Sequence, residues 1–270
     1  MKYLIAMDLE GMHGVVGERY MGLMRQCSDY QNAVCAATLE VNTAIRALFD
    51  AGAETVAVWD NHGGGGNIDF NEVDSRAVRV DVSNDSYRYE FVKNFGFDGV
   101  IFLGYHAKEG TPRGVLAHTF SSVDIQYVKL NGVAIGELAV DTYICTAHGI
   151  APLFLAADDV AIEEMRGIRP DIAAVMTKRA INRNEAELFE RERVLDEIYR
   201  GVIDAVKNVS RDFSYPFPAD ARLEVRYTRA EKAADVMKRA EMLGIPAVYG
   251  EDTHVLHFDI TDATQIPKLL

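Results

Sequence analysis

The chain has 270 residues, 49% of them hydrophobic, enough to bury a substantial core in one large domain or two small ones. Its 28 basic against 41 acidic residues give a formal charge of −13 and a pI near 5.0, which repels phosphate backbones and argues against a nucleic-acid partner. No apolar run reaches the roughly 18–20 residues that span a bilayer, and the three cysteines (Cys27, Cys35, Cys145) form no CxxC, so no membrane partner and a reducing cytoplasm are expected.

Lys2–Met7 is an apolar run that reads as the first core strand rather than as a signal peptide, and it runs into Asp8-Leu9-Glu10-Gly11. Residues 29 to 51 repeat apolar side chains at three- and four-residue spacing, which predicts a long amphipathic helix with Asp29 as N-cap and Gly52 as stop. Thr55–Trp59 is the second strand and leads into Asp60-Asn61-His62; with the helix it completes a βαβ unit, so the two strands should be parallel. Gly63–Gly66 reads as a mobile loop beside a site, because no Lys-Ser/Thr follows to make a phosphate loop. A charged segment over 67–98 is expected to form a short helix or excursion before the third strand, Val100–Leu103, which ends in Gly104-Tyr105-His106.

Asn131-Gly132 predicts a tight hairpin between Ile125–Leu130 and Val133–Ile135, since both turn positions favour positive φ. A helix follows from Gly136 to about His148, then a buried strand at Leu153–Ala157 and a charged helix from about Asn184 to Lys207. The Pro and aromatic connector Arg211–Pro218 is the expected boundary. Beyond it come a strand at Leu223–Tyr227, a helix at Ala230–Leu243, a strand at Val255–Ile260 and a last short helix. The expected fold is α/β, a mainly parallel sheet flanked by helices. A catalytic domain spans residues 1–212 and a smaller C-terminal α+β unit spans 219–270.

Three apolar strands that each end in a carboxylate or histidine are the chemical signal. Ligands of open α/β sheets bind beyond the carboxyl ends of the strands, so Asp8, Glu10, His62 and His106 can reach one cleft. A mixed Asp/Glu/His set suits a zinc-type divalent ion, which points to a metallohydrolase. Each residue also has a structural reading. Asp8 and Glu10 could cap a helix, His62 could be a bonded loop residue, and His118 could be a core histidine. Glu137 could be a first-turn capping acid. Asp60 is read as orienting a ligand histidine.

In Met7-Asp8-Leu9-Glu10-Gly11, Asp60-Asn61-His62, Gly104-Tyr105-His106-Ala107, Thr111-Pro112, His118 and Gly136-Glu137-Leu138, taken in order, the sequence resembles the zinc-dependent D-aminopeptidase family. The resemblance runs from residue 1 to about 210. It implies Asp8, Glu10, His62, His106 and Glu137 as zinc ligands, with two Zn²⁺ per chain, and His118 as the catalytic histidine. It also implies a short peptide or amino-acid amide as substrate, hydrolysed at its N-terminal D-residue by zinc-activated water, and a ring-shaped homo-oligomer, a decamer. The Tyr215–Phe217 connector looks exposed and could serve such contacts. The alternatives are another metal-dependent amidohydrolase, a phosphoesterase, or a non-enzymatic metal- or peptide-binding protein. The chain departs from the family at Asn61, where a serine is usual, and at His13, where a small or hydroxyl residue is expected.

Overall fold

A computed structural model describes residues 1–80 and 95–270. Among these described residues the main sheet has seven strands in the order β3-β2-β1-β4-β7-β8-β9. These are β1 (Lys2–Met7), β2 (Thr55–Asp60), β3 (Val78–Val80), β4 (Gly99–Tyr105), β7 (Ala151–Asp158), β8 (Ala173–Asn182) and β9 (Glu185–Leu188). All neighbours are parallel except β8 and β9. β4 and β7 are buried at every position and β1 at all but its first, so these strands have no polar face. That is the mark of a parallel sheet covered on both sides.

The cover is helical. Helix α1 (Tyr30–Asp50) packs with α4 (Arg191–Asn208), and α2 (Glu137–Ala147) packs with α3 (Asp159–Ile168) against β7. Gly52, at φ 92°, stops α1 as expected. Asp29 precedes α1 but does not cap it: its Oδ2 accepts from the amides of Val16 and Gly17 at 2.8 and 2.7 Å. The acid therefore ties the loop after β1 to the helix start.

A second, antiparallel sheet has the order β11-β12-β10-β5-β6: β11 (Ala247–Tyr249), β12 (Val255–Ile260), β10 (Ala221–Tyr227), β5 (Ile125–Leu130) and β6 (Val133–Ala134). Helix α5 (Ala230–Met242) packs on it, and short 3₁₀ turns over Ala263–Gln265 and Pro267–Leu269 follow. The hairpin turns at Asn131 and Gly132 with φ of 49° and 81°, as their side chains favour. β5 pairs with β10, so the sheet built by residues 221–260 also takes two strands from the middle of the chain.

Two expectations change. The charged helix begins at Arg191 rather than near Asn184, because Glu185–Leu188 is held as an edge strand against β8. Tyr215 and Phe217 are half-buried within their own chain, Tyr215 stacked on Tyr143 at 4.2 Å, while Pro216 between them is exposed. Of the excursion expected over 67–98, residues 81–94 lie outside the described residues; β3 occupies part of the rest.

Candidate metal centre

The chain runs outward from β1 to β2 and β3, then crosses back to β4 and on to β7 and β8. β2, β1 and β4 are therefore adjacent at the point where strand order reverses. Asp8 follows β1, His62 lies two residues beyond β2, and His106 follows β4. β4 is bulged: its register with β7 shifts between Leu103 and Tyr105, and Gly104 has φ 71°. A bulge re-aims the side chains after it, here including His106. Glu137 opens α2 after the β5–β6 hairpin. No side-chain bond caps that helix at Gly136. Instead Glu137 Oε1 accepts from the Phe120 amide at 2.8 Å, across the site.

Asp8 divides its two oxygens. Oδ1 lies 2.9 Å from His62 Nδ1, which is also 3.0 Å from Glu10 Oε2. Oδ2 lies 3.4 Å from His106 Nε2, itself 3.3 Å from Glu137 Oε1. His118 Nε2 is 3.9 Å from the same Glu137 oxygen, and its ring stacks on His106 at 4.0 Å and 13°. All six residues singled out in the sequence thus meet in one place, in two lobes that share Asp8.

The polar atoms call for a cation. His106 Nδ1 lies 3.0 Å from the carbonyl oxygen of Ala107. A carbonyl can only accept, so Nδ1 carries the hydrogen and Nε2 offers a lone pair. That buried Nε2 has no hydrogen-bond partner among the described residues, and it faces two carboxylates that also only accept. Such an array is stable only around a proton or a metal ion. The imidazole and carboxylate donors fit a borderline divalent ion.

Without metal, protonation answers the same demand. Burial pushes the His62 and His106 imidazoles down, but the acids beside them prevail and hold both well above the ordinary histidine value. Burial pushes the Asp8 carboxyl up, yet its contacts with His106 and His62 hold it well below the usual carboxylate range. His118 goes the other way: burial and the charge of His106 push it down. Its Nδ1 donates to the Leu116 carbonyl at 2.9 Å, which leaves Nε2 unprotonated and directed to the site.

The centre opens into a cavity of about 420 Å³ whose other walls include Met21, Leu23, Phe120, Asp124, Lys232 and Pro267. Asp60 does not orient a histidine ring. Its Oδ1 accepts from Asn67 Nδ2 and its Oδ2 from the Asn67 amide, so it pins the loop that carries His62. The four glycines lie in that loop, three with positive φ, and Arg25 donates to the carbonyls of Gly65 and Gly66. Asn61 donates through Nδ2 to the Tyr105 hydroxyl and to Asp141 Oδ2, at 2.8 and 3.1 Å. His13 points away from the cavity, its Nε2 2.9 Å from the Phe189 carbonyl.

Three buried residues that no motif in the sequence marks support the site. Asp158 caps α3 through Oδ1, and its Oδ2 accepts from the Val115 amide in the loop that carries His118. An Asp at the start of a charged amphipathic stretch was the available signal. Asp141, one turn after Glu137 on α2, anchors Asn61. Lys178 is fully buried on β8 behind Glu10. Nothing local in the sequence marks a strand lysine as buried.

The chain is similar to known proteins in sequence and in fold. A D-aminopeptidase from Bacillus subtilis (strain 168) is 27% identical over 186 residues, a stretch covering 68% of this chain and 66% of that relative. In fold, the whole chain superposes on 95% of a solved chain described as "Zn-dependent D-aminopeptidase DppA from Bacillus subtilis, a self-compartmentalizing protease", with a TM-score of 0.86 and 21% identity. The model of the D-aminopeptidase family, peptidase family M55, matches residues 1–270, and the chain belongs to that family.

Proposed function

We propose that this protein is a zinc-dependent aminopeptidase that releases the N-terminal residue, with preference for the D-configuration, from short peptides or amino-acid amides. In this reading Asp8, Glu10, His62, His106 and Glu137 hold two zinc ions, and His118 is the catalytic group. One observation carries it: Asp8 turns one oxygen to His62, which also meets Glu10, and the other to His106, which also meets Glu137. A carboxylate placed between two donor clusters would let Asp8 serve an ion in each. When bound, the ions supply Lewis-acid polarisation of the scissile carbonyl and an activated water.

The chain's own residues do the rest. The Leu116 carbonyl fixes the His118 tautomer, and burial favours its neutral form, so Nε2 can take a proton from water at neutral pH and return it to the leaving amine. Stacking on His106 holds the ring in place. The apolar wall of Met21, Leu23 and Phe120 excludes water around the substrate side chain. The zinc-dependent, self-compartmentalizing relative supports zinc and a homo-oligomer, for which a ring-shaped decamer is our reading. The cytoplasm stays part of this reading, on the strength of three free cysteines.

A panel of D- and L-aminoacyl amides, short peptides and aryl phosphates tests the assignment. Release of D-residues well above L-residues is expected. Turnover of phosphates alone would sink the peptidase reading.

A further inference from the structure

We infer that Thr177 and Lys178 of β8 are positioning residues: they fix the loop after β1 through three successive carbonyls, and so hold the Glu10–His62 lobe of the centre in its metal-binding shape. Lys178 Nζ donates to the carbonyl oxygens of Glu10 and Met12 at 2.5 and 2.8 Å. Thr177 Oγ1 donates to the carbonyl between them, that of Gly11, at 2.6 Å. Thr177 and Lys178 are fully buried and Glu10 and Met12 nearly or fully so, so none of these carbonyls can turn to water instead. A buried carbonyl left unpaired costs about as much as a lost hydrogen bond.

Adjacent residues of a regular strand point to opposite faces, so two of them seldom serve one loop. Here the register breaks. Ala157 pairs with Met176 and Asp158 with Lys178, leaving Thr177 as an extra residue. The bulge lets the two side chains between them reach three successive carbonyls. From the other side, Glu40 of α1 accepts the His13 amide at 2.7 Å, so the loop is gripped at residues 10 to 13 by a strand and a helix. Lys178 stands among the charges of Asp158, Glu40 and Glu10, which favour its ammonium form against burial.

The grip is one-sided, which makes it testable. Glu10 is the only one of the five proposed ligands whose own carbonyl Lys178 holds. His106 and Glu137 are placed by β4 and α2, and the Asp8 amide is fixed separately to the Leu103 carbonyl at 2.8 Å. Loosening the clamp should therefore weaken the Glu10–His62 lobe and spare the His106–Glu137 lobe. This rests on the two-ion reading above.

The experiment is a Zn²⁺ titration of the full chain against a fluorescent chelator, on native protein and Lys178→Met, with melting of the metal-free forms alongside. Supports behind metal ligands typically change affinity by about 10–100-fold. Lys178→Met should weaken one of two zinc affinities by that factor and leave the other within about twofold. Should Lys178→Met not fold, Thr177→Val removes a single donor at nearly constant shape and should show the same asymmetry to a smaller degree. Equal weakening of both affinities, or a lower melting temperature with both affinities intact, overturns the clamp. If native protein binds one ion, the two-ion reading falls by itself. The clamp then stands if Lys178→Met weakens that ion tenfold or more, and falls if it does not.

Discussion

Gly11 and Gly104 lock the ends of two strands together: the Gly11 amide donates to the Gly104 carbonyl at 2.6 Å, and neither residue has room for a side chain. A Cβ on Gly104 would collide with the Asp8 carbonyl oxygen and the Met12 side chain, at a φ of 71° that L residues avoid. The contact joins the loop of Asp8 and Glu10 to the bulge that aims His106. Gly104→Ala should destabilise by about 2–4 kcal/mol, combining left-handed strain with overpacking. Gly132→Ala, at a φ of 81° with open space around it, should cost about 1 kcal/mol. Urea melts of the two variants measure the difference, and equal losses would mean that crowding at Gly104 contributes nothing.

Asp158 links helix α3 to the loop that carries His118. Its Oδ1 accepts from Val160 and Ala161 and its Oδ2 from Val115, three residues before His118. Asp158→Ala leaves these donors unpaired and should cost about 2–3 kcal/mol, more than an exposed cap. Because the Val115 tether goes with it, kcat should fall while zinc content holds. Unchanged kcat in a destabilised variant would reduce Asp158 to a plain helix cap.

Stability should depend on pH through Glu40. Burial raises its carboxyl from an ordinary 4.5 to about 7, against the opposing pull of the His13 amide and Lys178. The folded state therefore holds a proton that the unfolded state has released, so stability falls as pH rises from about 4.5 to 7. Lys178, pushed by burial from 10.5 down to about 8, has the opposite sign: the unfolded chain binds more protons there, and stability recovers from about 8 to 10.5. Glu40→Gln should flatten the lower limb, worth about 3 kcal/mol at most. Denaturation across pH 4–8 checks this, and the same slope in both proteins would contradict it.

The parts legible in the sequence were those that buried strands announce. β1, β2 and β4 are apolar runs with an acid or histidine at or just past their ends, which is why Asp8, Glu10, His62 and His106 could be found without coordinates. Asn131-Gly132 marked its hairpin because the backbone there needs positive φ. β8 was missed because Thr177, Lys178 and Arg179 break its apolar pattern, and the burial of Lys178 depends on carbonyls about 166 residues away. Glu185–Leu188 favours helix by composition; pairing with β8 overrode that preference. Glu137 and His118 stood out only through the family resemblance, since a helix start and a loop histidine have ordinary structural explanations.

The proposed role of His118 can be tested apart from metal holding, although it lies with His106 and Glu137 in a group that could itself hold an ion. His118 Nε2 lies 3.9 Å from Glu137, whereas His106 Nε2 faces both Asp8 and Glu137 at 3.4 and 3.3 Å. His118→Ala should keep its zinc and its fold while losing roughly 10²–10⁴ in kcat. His106→Ala should lose zinc affinity first and activity with it. Metal analysis and kcat on both variants decide the matter; an active His118→Ala removes the catalytic role.

The most direct test of the whole account is metal reconstitution followed by an assay on a D-aminoacyl amide. Chelated protein should be inactive, and stepwise Zn²⁺ should restore hydrolysis with a break at about two ions per chain, as a bridged pair requires. Full activity in the metal-free protein, or saturation at one ion per chain with full activity, would contradict it.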